Sequence, residues 1–568
     1  MSKRNQTLVT RFATLACLLL TACGGGSGDD ASVPDVGVPP PTPPPVVSKA
    51  QRDAASRLAS QITFGMPFEQ LDGMATMGDE VWLDTQLALP PTFHAPSIEA
   101  ILTRREAGEF EPFENDIEYL IFARRLAWWH NTITAQDTVR QRVAFALSQI
   151  FVVSDRVDTL EVYPYALGSY YDTLLEHAFG NFRDLLEAVA LSPAMGIYLS
   201  HVNNRRSDPV NNIFPDENFA REVMQLFSIG LFQLAPDGTV LRDANGDPLP
   251  TYDNADIAEF AKVFTGLSFD GSNSFFGNVD TPYFRAPMVM FDAEHELGEK
   301  RLLNGVVVPA GQSGLQDIDM ALDNLFEHPN VGPFMSRLLI QRLVTSNPSP
   351  AYVQRVASVF NDNGSGVRGD MRAVIRAITL DPEARAAPTN AGSFGKLREP
   401  VVRYVSLLRQ LGVSSPDGFI APLGYFLQDV SQQHPLSAPS VFNFYLPDHT
   451  PAGPVADAGL VAPEFQITNS NTIVAYPNFI DAIVLGDFVT DTPDGFEPAS
   501  LNFSPLIDIA DDPEALVDRL DTLFHYGTLS PELRTIFIDA IREFDDMEFR
   551  VRIALYWVLT SPEYAIQH

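Results

Sequence analysis

The sequence predicts a mainly α-helical protein, a large multi-helix domain with a small β-hairpin near residues 238–252 and long ordered loops. Two observations support this fold class. Apolar residues recur at helical spacing along most of the chain after residue 50. Apolar residues also make up 45% of the 568 residues, which is enough to bury a large core.

The first 22 residues combine basic side chains with a short apolar run. Three basic residues stand before the apolar stretch 12–20, which is too short to span a bilayer. Leu-Thr-Ala-Cys at 20–23 resembles the lipobox of bacterial lipoproteins, in which the cysteine thiol receives the lipid. The sequence therefore predicts a signal peptide over residues 1–22, export, and a lipid anchor on Cys23. The alternative is a plain secretory signal that is cut elsewhere.

Residues 23–48 are rich first in glycine and then in proline. Glycine-rich chain is flexible and proline-rich chain is extended. We therefore expect a tether that holds a folded body, residues 49–568, away from a membrane surface. Gly24, rather than aspartate, follows Cys23. In a Gram-negative cell this favours sorting to the outer membrane.

The chain is strongly acidic, with a formal net charge of -34 from 72 acidic and 38 basic residues. Such a field repels phosphate backbones, so we expect no nucleic-acid partner. The two cysteines, Cys17 and Cys23, both lie near the N-terminus. The body therefore offers neither a disulfide framework nor a thiolate zinc site. We expect no cofactor and no bound metal.

The body consists mostly of predicted helices, and the run at 170–200 breaks near Gly180. Residues 410–505 are less regular and rich in proline, and we expect them to form long ordered loops over the helical core. Apolar residues at helical spacing predict helices within 51–65, 138–154, 170–200, 255–267, 331–380 and 513–566.

The predicted β-hairpin lies at residues 238–252, GTVLRDANGDPLPTY. Two extended runs flank Asn245 and Gly246, and Asn-Gly accepts the positive φ angles of a tight hairpin turn. Asp243, Asn245 and Asp247 have the spacing of half a calcium loop. The glycine and the distant glutamate of such a loop are missing, so we favour the hairpin without calcium.

Two short motifs resemble nucleotide or acyl-transfer sites without their context. Residues 364–369, GSGVRG, match a dinucleotide fingerprint, but helical spacing precedes them where the fingerprint needs a strand. We interpret them as a connector, with Asp370 capping the next helix. Ser393 and Lys396 match a serine–lysine pattern, but no lysine follows to complete the third motif of that enzyme class.

The run PDENFAREVMQLFSIG, residues 215–230, predicts a helix with one continuous polar stripe. Glu217, Asn218, Arg221 and Glu222 fall within a single arc at 100° per residue. The stripe is interpreted either as a solvated face or as the lining of a cleft. In the second interpretation Glu217, Asn218 and Arg221 are candidate binding residues.

His295 stands apart from the other histidines because it lies in the acidic run FDAEHELGEKRLLNG. That run indicates a metal or acid–base site, or else an ordinary acidic loop. If Glu222, Asp256 and His295 share a buried cleft, they become candidate catalytic residues, because carboxyl and imidazole groups of different pKa can serve as acid and base.

Several blocks of the sequence resemble one bacterial family, the domain-of-unknown-function family numbered eighteen hundred. The likeness extends over about residues 51–568. The blocks that carry it are VRQRVAFALSQIFVVS, AFGNFRDLLEAVALSPAMGIYL, PDENFAREVMQLFSIGLFQLAPDGT, TYDNADIAEFAKVFTG, HPNVGPFMSRLLIQRLVTSNPSPAYVQRVASVF, NGSGVRGD, FGKLREP, APSVFNFY and APEFQI.

The resemblance implies an exported, largely helical protein without a settled activity. Genes of this family often neighbour genes for another exported family that looks like sulfatases or alkaline phosphatases. The resemblance therefore implies a paired system at the cell surface. It supplies no catalytic residue that can be assigned here.

Three hypotheses for function follow. The first is a non-enzymatic lipoprotein of the cell envelope that binds or assists another exported protein, such as the sulfatase-like one. The second is a surface hydrolase acting on cell-wall or extracellular polymer through Glu222, Asp256 and His295, with Asn218 and Arg221 orienting the substrate. The third is a structural component of an extracellular layer or fibre.

Overall fold

A computed structural model describes residues 47–109, 116–277, 284–386, 393–421, 424–489 and 497–568. The predicted signal peptide, Cys23 and all but the last two residues of the predicted tether lie outside the described residues. The body itself clusters as one unit over residues 47–568.

The described residues are mainly α-helical, which confirms the predicted fold class. Ser48 starts the first helix with a capping box, since its side chain accepts from the Gln51 N–H while the Gln51 side chain reaches back to the Ser48 N–H. The first ten helices are α1 (Lys49–Ile62), α2 (Phe68–Met77), α3 (Asp79–Ala88), α4 (His94–Glu106), α5 (Asp116–Thr134), α6 (Thr138–Ser148), α7 (Asp158–Val162), α8 (Pro164–His177), α9 (Phe182–Ala190) and α10 (Pro193–Tyr198).

Among the remaining helices, α11, α12, α14 to α16 and α23 to α26 follow the predicted runs, whereas α13, α17, α18 and the helices between residues 410 and 510 were not predicted. The middle set is α11 (Asn218–Gln225), α12 (Asn254–Val263), α13 (Gly314–Phe326), α14 (Val331–Leu343), α15 (Pro350–Asn361), α16 (Met371–Leu380), α17 (Pro382–Arg385) and α18 (Pro400–Gln410). The last set is α19 (Gly424–Ser431), α20 (Pro454–Asp457), α21 (Ser470–Val484), α22 (Ser504–Ile507), α23 (Pro513–Leu520), α24 (Pro531–Ile541), α25 (Met547–Thr560) and α26 (Pro562–Ala565).

Helix α6 lies at the centre of the core, and all of its residues are buried. Its polar side chains reach backbone carbonyls of neighbouring segments. Arg140 donates to the Leu175 carbonyl at 2.9 Å, and Arg142 donates to the Arg342 carbonyl at 2.6 Å. The sequence predicted a helix to residue 154 with one apolar face. The helix ends at Ser148, and neighbouring segments cover every face.

Among the described residues, three two-stranded antiparallel sheets join segments that are distant or looped in sequence. The third sheet pairs Lys396 with Gln567, so the C-terminal residues fix the position of Lys396. The strands are β1 (Leu267–Ser268) with β2 (Val289–Met290), β3 (Lys300–Arg301) with β4 (Val307–Val308), and β5 (Lys396–Leu397) with β6 (Ile566–Gln567).

The predicted hairpin is part of a larger unit, residues 231–251, which we call the β-meander. It has three short segments, and each of them pairs with the other two through isolated bridges. The Leu241 N–H donates to the Gln233 carbonyl at 2.8 Å, the Leu249 N–H to the Leu241 carbonyl at 2.9 Å, and the Gln233 N–H to the Leu249 carbonyl at 2.8 Å. Gly246 has φ +89, as an Asn-Gly turn requires.

The glycine-rich run 364–369 connects two helices, α15 and α16, as the sequence predicts. Asp370 caps α16 by accepting from the Ala373 N–H at 3.1 Å. Asp362 accepts from two N–H groups inside the run, those of Gly364 and Gly366. These bonds make the run an ordered turn, and helix rather than strand precedes it.

Segment 410–505 combines the expected loops with helix α21, which has 15 residues. Its stretch 432–453 contains no helix and is held by hydrogen bonds to the core. In one of them the Ser154 hydroxyl donates to the Ala438 carbonyl at 2.7 Å. Within the ranges that the structure describes, no helix combines the length and the apolar character that crossing a bilayer requires.

Candidate functional site

The polar stripe of residues 215–230 changes environment along its length. Glu217 and Arg221 form an ion pair at 3.1 Å, with side chains 45% and 40% exposed. Asn218 is exposed as well. Glu222 is only 6% exposed. The stripe is therefore neither a fully solvated face nor a uniformly buried one, and its exposed end holds the three predicted binding residues.

Glu222 lies beside two tyrosines. Burial raises the pKa of its carboxyl, although the charge of Arg221 opposes the shift. Burial, together with the charge of Glu222, raises the pKa of Tyr198 and of Tyr252 to about 12. One oxygen of Glu222, Oε2, is buried without a hydrogen-bond partner among the described residues. Glu222 is thus a buried carboxyl in aromatic surroundings.

Asp256 belongs to the start of helix α12. Its Oδ2 accepts from the Asp253 N–H at 2.9 Å, and the Asp253 side chain accepts from the N–H groups of Ala255 and Asp256. This reciprocal pair is a capping box, which stabilises the first helical turn. The structure therefore gives Asp256 a structural role at this helix end.

His295 is fully buried and bonded on both ring nitrogens. Its Nδ1 lies 2.9 Å from the Thr265 carbonyl, and its Nε2 lies 2.9 Å from Oδ2 of Asp317. Lys300 also contacts Asp317 and donates to the Gly298 carbonyl at 3.1 Å. The pKa of Asp317 is lowered, since burial, which would raise it, is outweighed by hydrogen bonds including those from His295 and Lys300. This group ties the acidic loop to helix α13.

The three predicted catalytic residues have separate partners. No hydrogen bond or ion pair among the described residues joins Glu222, Asp256 and His295 to one another. Their shared catalytic role stays a prediction. Among the same residues, no group of three or more His, Cys, Asp or Glu side chains is placed to hold a metal ion.

The serine–lysine pattern also separates in space. Ser393 is exposed, whereas Lys396 is buried and pairs with Glu464 at 3.0 Å. A nucleophilic serine needs its base within hydrogen-bond reach. The ion pair instead gives Lys396 a place in a buried group of charges, described below.

A pocket of about 420 Å³ lies along one face of helix α14. Five residues of that helix line it at the spacing of a single helical stripe: Phe334, Arg337, Leu338, Gln341 and Arg342. We call it the arginine pocket. Its size falls within the range of small-ligand sites, which are mostly apolar with a few placed polar groups.

Four other parts of the chain complete the arginine pocket. Helices α6 and α11 contribute the residues around their C-terminal ends, including Gln149 and Gln225. The β-meander contributes Phe232, and the loop 441–448 contributes Phe442. Gln225 is the last residue of helix α11, so the predicted polar stripe reaches this pocket at its C-terminal end.

Arg337 and Arg342 supply the positive charge of the arginine pocket. Neither guanidinium makes a hydrogen bond or an ion pair among the described residues. Arg342 is 4% exposed, and its guanidinium lies 4.5 Å from the centre of the Tyr445 ring. Burial lowers the pKa of Arg337, partly offset by the charge of Asp448. Two cationic groups therefore face the pocket without a carboxylate bound to them.

A buried group of charges lies next to the arginine pocket, and we call it the charge cluster. Its members are Arg142, Arg342, Lys396, Glu399 and Glu464. Lys396 donates to the Arg342 carbonyl at 2.9 Å and pairs with Glu464. Glu399 accepts from Gln149 and, at 2.7 Å, from Gln433. Three cations thus face two carboxylates at buried positions.

Electrostatics keep Glu399 ionised inside the charge cluster. Burial by itself would raise the pKa of Glu399, but the charges of Lys396, Arg142 and Arg342 outweigh it and lower the pKa. The pKa of the Tyr445 hydroxyl rises well above its usual value through burial and the charge of Glu399. The cluster therefore combines fixed charges with a neutral phenol.

Several buried polar atoms in this region have no hydrogen-bond partner among the described residues. Buried polar groups are bonded in the great majority of cases, so a group of such atoms indicates a place where water or a ligand is held. The atoms concerned are Oε1 of Gln149, Gln341 and Glu399, Oε2 of Glu464 and the Tyr445 hydroxyl.

The family model described as "Protein of unknown function (DUF1800)" matches residues 57–566. The chain belongs to the DUF1800 family. The match confirms the resemblance found in the sequence. No curated protein and no solved structure matches the chain significantly.

Five of the nine blocks that carry the DUF1800 likeness supply the charge cluster or residues next to it. This convergence distinguishes the cluster from the other buried ion pairs of the fold, and it makes the arginine pocket the candidate functional site. VRQRVAFALSQIFVVS supplies Arg142 and Gln149, HPNVGPFMSRLLIQRLVTSNPSPAYVQRVASVF supplies Arg337 and Arg342, FGKLREP supplies Lys396 and Glu399, APSVFNFY supplies Tyr445, and APEFQI supplies Glu464.

Sequence reasoning missed this site, although one signal was present. Arg337 and Arg342 fall on the same helical stripe as Phe334 and Leu338. Cations within an apolar stripe are unusual, because burying a guanidinium without a partner is unfavourable. The periodicity was used only to predict the helix.

Proposed function

We propose that this DUF1800 protein is an envelope-anchored binding protein that docks an apolar segment of another exported protein over the arginine pocket. The anchor is the lipid expected on Cys23. The exported sulfatase-like family implied by the resemblance is the first candidate for the partner. The proposal concerns binding and requires no chemistry from the protein itself.

One observation carries the proposal. Four apolar side chains are exposed and line the same pocket: Leu231 at 46%, Phe232 at 41%, Phe442 at 45% and Leu446 at 39%. We call them the apolar rim. Grouped exposed apolar residues mark interaction sites, whereas scattered ones are ordinary. The rim extends the pocket into a surface that a protein segment can cover.

The anchor is tested with the full chain in its own cells. Wild type and Cys23→Ser are grown with labelled palmitate, and the envelope is then separated from soluble material. We expect label and envelope retention in the wild type and loss of both in the variant. Wild-type protein that is free of label and still carries its leader would contradict the anchor.

Docking is tested by capture from solubilised envelopes with the anchored full-length protein. The rim variant carries Phe232→Ser and Phe442→Ser. The matched control carries Ile473→Ser and Val474→Ser, which are 58% and 68% exposed and do not line the pocket. We expect an exported protein that is captured by wild type and control and lost with the rim variant. Equal capture by all three, or no exported protein at all, would contradict the proposal.

A surface hydrolase acting on cell-wall or extracellular polymer is the second candidate. The observation that favours it is the raised pKa of buried Glu222, because a general acid needs a carboxyl that stays protonated near neutral pH. His295 would have to leave its bonds to Thr265 and Asp317 to take part. The test is release of soluble sugar or peptide from purified wall polymer, with Glu222→Gln as the inactive variant. No release by the wild type contradicts this candidate.

A further inference from the structure

The arginine pocket contains free hydrogen-bond donors of a kind that proteins rarely leave free. For comparison, Arg142 on helix α6 donates to the backbone carbonyl of Arg342. Arg342 is 4% exposed and donates to nothing among the described residues, although it lines the pocket. Arg337 lines the same pocket and has no hydrogen-bonded partner there either. A guanidinium presents its N–H groups in a fork that matches a carboxylate.

The pocket also contains free acceptors. Gln149 and Gln341 line it, and Oε1 of each is buried without a partner among the described residues. The amide nitrogen of Gln341 is already used, donating to the carbonyls of Ser346 and Pro447 at 3.0 and 3.1 Å. The amide nitrogen of Gln149 is used on Glu399. Each glutamine therefore holds a buried amide oxygen next to the pocket to which no described group donates.

The charge balance favours one negative group in the pocket. In the neighbouring charge cluster, Arg142, Arg342 and Lys396 face Glu399 and Glu464. The pocket lining adds Arg337 and Asp448, so four cations face three carboxylates among these described residues. This local excess of positive charge lies in a chain of net charge -34. The net negative charge of the chain repels an acidic ligand group over most of the surface. The local positive charge attracts the same group to the arginine pocket.

These features together identify the chemistry of the docked segment. We infer that the arginine pocket recognises an apolar peptide segment that carries a carboxylate, which binds Arg337 and Arg342 while peptide N–H groups donate to Gln149 and Gln341. The inference rests on the proposed docking function and names what that site takes. A fatty acid offers the carboxylate but no N–H donor.

The test uses the anchored full-length protein and fluorescently labelled peptides, with binding followed by anisotropy. The probe is a pentapeptide of leucine, alanine and phenylalanine with a free C-terminal carboxylate. Its companions are the C-terminal amide, the amide with one internal glutamate, and unlabelled decanoate as a competitor. The amide with glutamate separates a side-chain carboxylate from a chain end.

We expect at least one carboxylate peptide to bind about tenfold or more tightly than the plain amide, because it adds charge-assisted hydrogen bonds. Arg342→Met and Arg337→Gln should each remove that difference. The control Arg301→Gln, at a side chain 80% exposed and remote from the pocket lining, should retain it. Circular dichroism confirms folding, and Arg337→Gln, at a half-buried position, serves if Arg342→Met does not fold.

Three results overturn the inference. The first is equal affinity of acid and amide peptides, the second is displacement of the labelled acid peptide by decanoate at least as readily as by the same peptide without label, and the third is no binding of any labelled peptide. None of them alone removes the proposed docking function, because capture of an exported protein that depends on the apolar rim is measured separately. Conversely, the exported protein could be captured equally by wild type and rim variant while the carboxylate peptide binds tightly. That result would remove the docking proposal only.

Discussion

Arg342 and Glu399 are buried in the same charge cluster, yet their charges have opposite consequences for stability. Glu399 has neighbouring cations and two amide donors, so its charge is compensated. Arg342 has a ring face on one side and no carboxylate bound. A buried charge without a direct partner lowers stability, and proteins keep such groups for function.

Replacing Arg342 by methionine should leave the protein as stable or stabilise it. Methionine fills a similar volume, and the change leaves two cations facing two carboxylates. We expect the free energy of unfolding to rise by about 1–2 kcal/mol or stay unchanged. Urea denaturation followed by circular dichroism measures it. A loss of several kcal/mol would show that Arg342 is needed by the fold.

The companion change, Glu399→Gln, should have the opposite effect. It leaves Arg142, Arg342 and Lys396 facing Glu464 alone, and breaking a buried ion pair by removing one partner typically costs about 3–5 kcal/mol. The control is Glu217→Gln, because its ion pair with Arg221 is exposed and contributes about 0–1 kcal/mol. The same urea titration gives both values. Equal values for the two variants would contradict a compensated buried charge.

Single residues of the site could be predicted from sequence only where the local pattern carries the information. Cations and amides at helical spacing are visible in the sequence, and Glu222 was singled out in this way. Glu217 and Glu222 lie in one arc of the helix, so the sequence does not distinguish them. In the structure Glu217 is exposed and Glu222 is buried. Which side chains lack partners depends on segments that are distant in sequence, such as Gln149 and Tyr445.

At the scale of elements, the arginine pocket is formed where helix α11 turns into the β-meander beside helix α14. Gly230 makes this turn with φ +73, and its backbone passes so close to Phe334 that an added Cβ would lie 2.8 Å from the ring. Phe334 and Gly230 both line the pocket. The glycine therefore sets the distance between the two elements as well as the turn.

Gly230→Ala should deform the pocket and destabilise the protein. The positive φ and the contact with Phe334 act together, so we expect a loss of about 1–3 kcal/mol. The control is Gly246→Ala, where φ is +89 but a Cβ would meet open space. Its loss should be about 1 kcal/mol, from backbone strain alone. Urea denaturation gives the two losses, and equal losses would contradict the role of Phe334.

Helices were predicted well because their apolar spacing is a local property. Helices α14, α15, α16, α23 and α24 lie within predicted runs. The β-meander was only partly predicted, because the Asn-Gly turn signals a hairpin but not the third segment at 231–235. The segment 231–235 pairs through isolated bridges with both strands of the hairpin, at Val240 and at Pro250. No local pattern in the sequence predicts these two pairings.

At the scale of the whole molecule, the fold class and family followed from the sequence, whereas the site did not. Helical periodicity and ordered blocks extend through the entire body, so each part supports the same prediction. The charge cluster instead needs four blocks to meet, because Arg142, Arg342 and Glu464 each come from a separate block and Lys396 and Glu399 share a fourth. Their meeting is decided by tertiary packing, including the sheet that holds Lys396 beside Gln567.

Packing also buries four histidines in neutral form, and this makes the stability of the whole body depend on pH. Burial lowers the pKa of His94, His434 and His525 to about 3 and that of His201 to about 4. Each folded-state pKa lies below the ordinary value of 6.5, so the unfolded chain binds protons that the folded chain does not. The contribution of these four histidines to the free energy of unfolding is complete above pH 6.5 and is lost as pH falls from 6.5 towards 4.

We therefore expect the free energy of unfolding to fall between pH 6.5 and pH 4.5, by at most about 1.4 kcal/mol per pH unit for each buried histidine. Urea denaturation at half-unit steps of pH measures the slope. His434→Gln, which removes one titrating group, should reduce the slope. A slope of zero over this interval, or one that His434→Gln does not change, would contradict burial of these rings in neutral form.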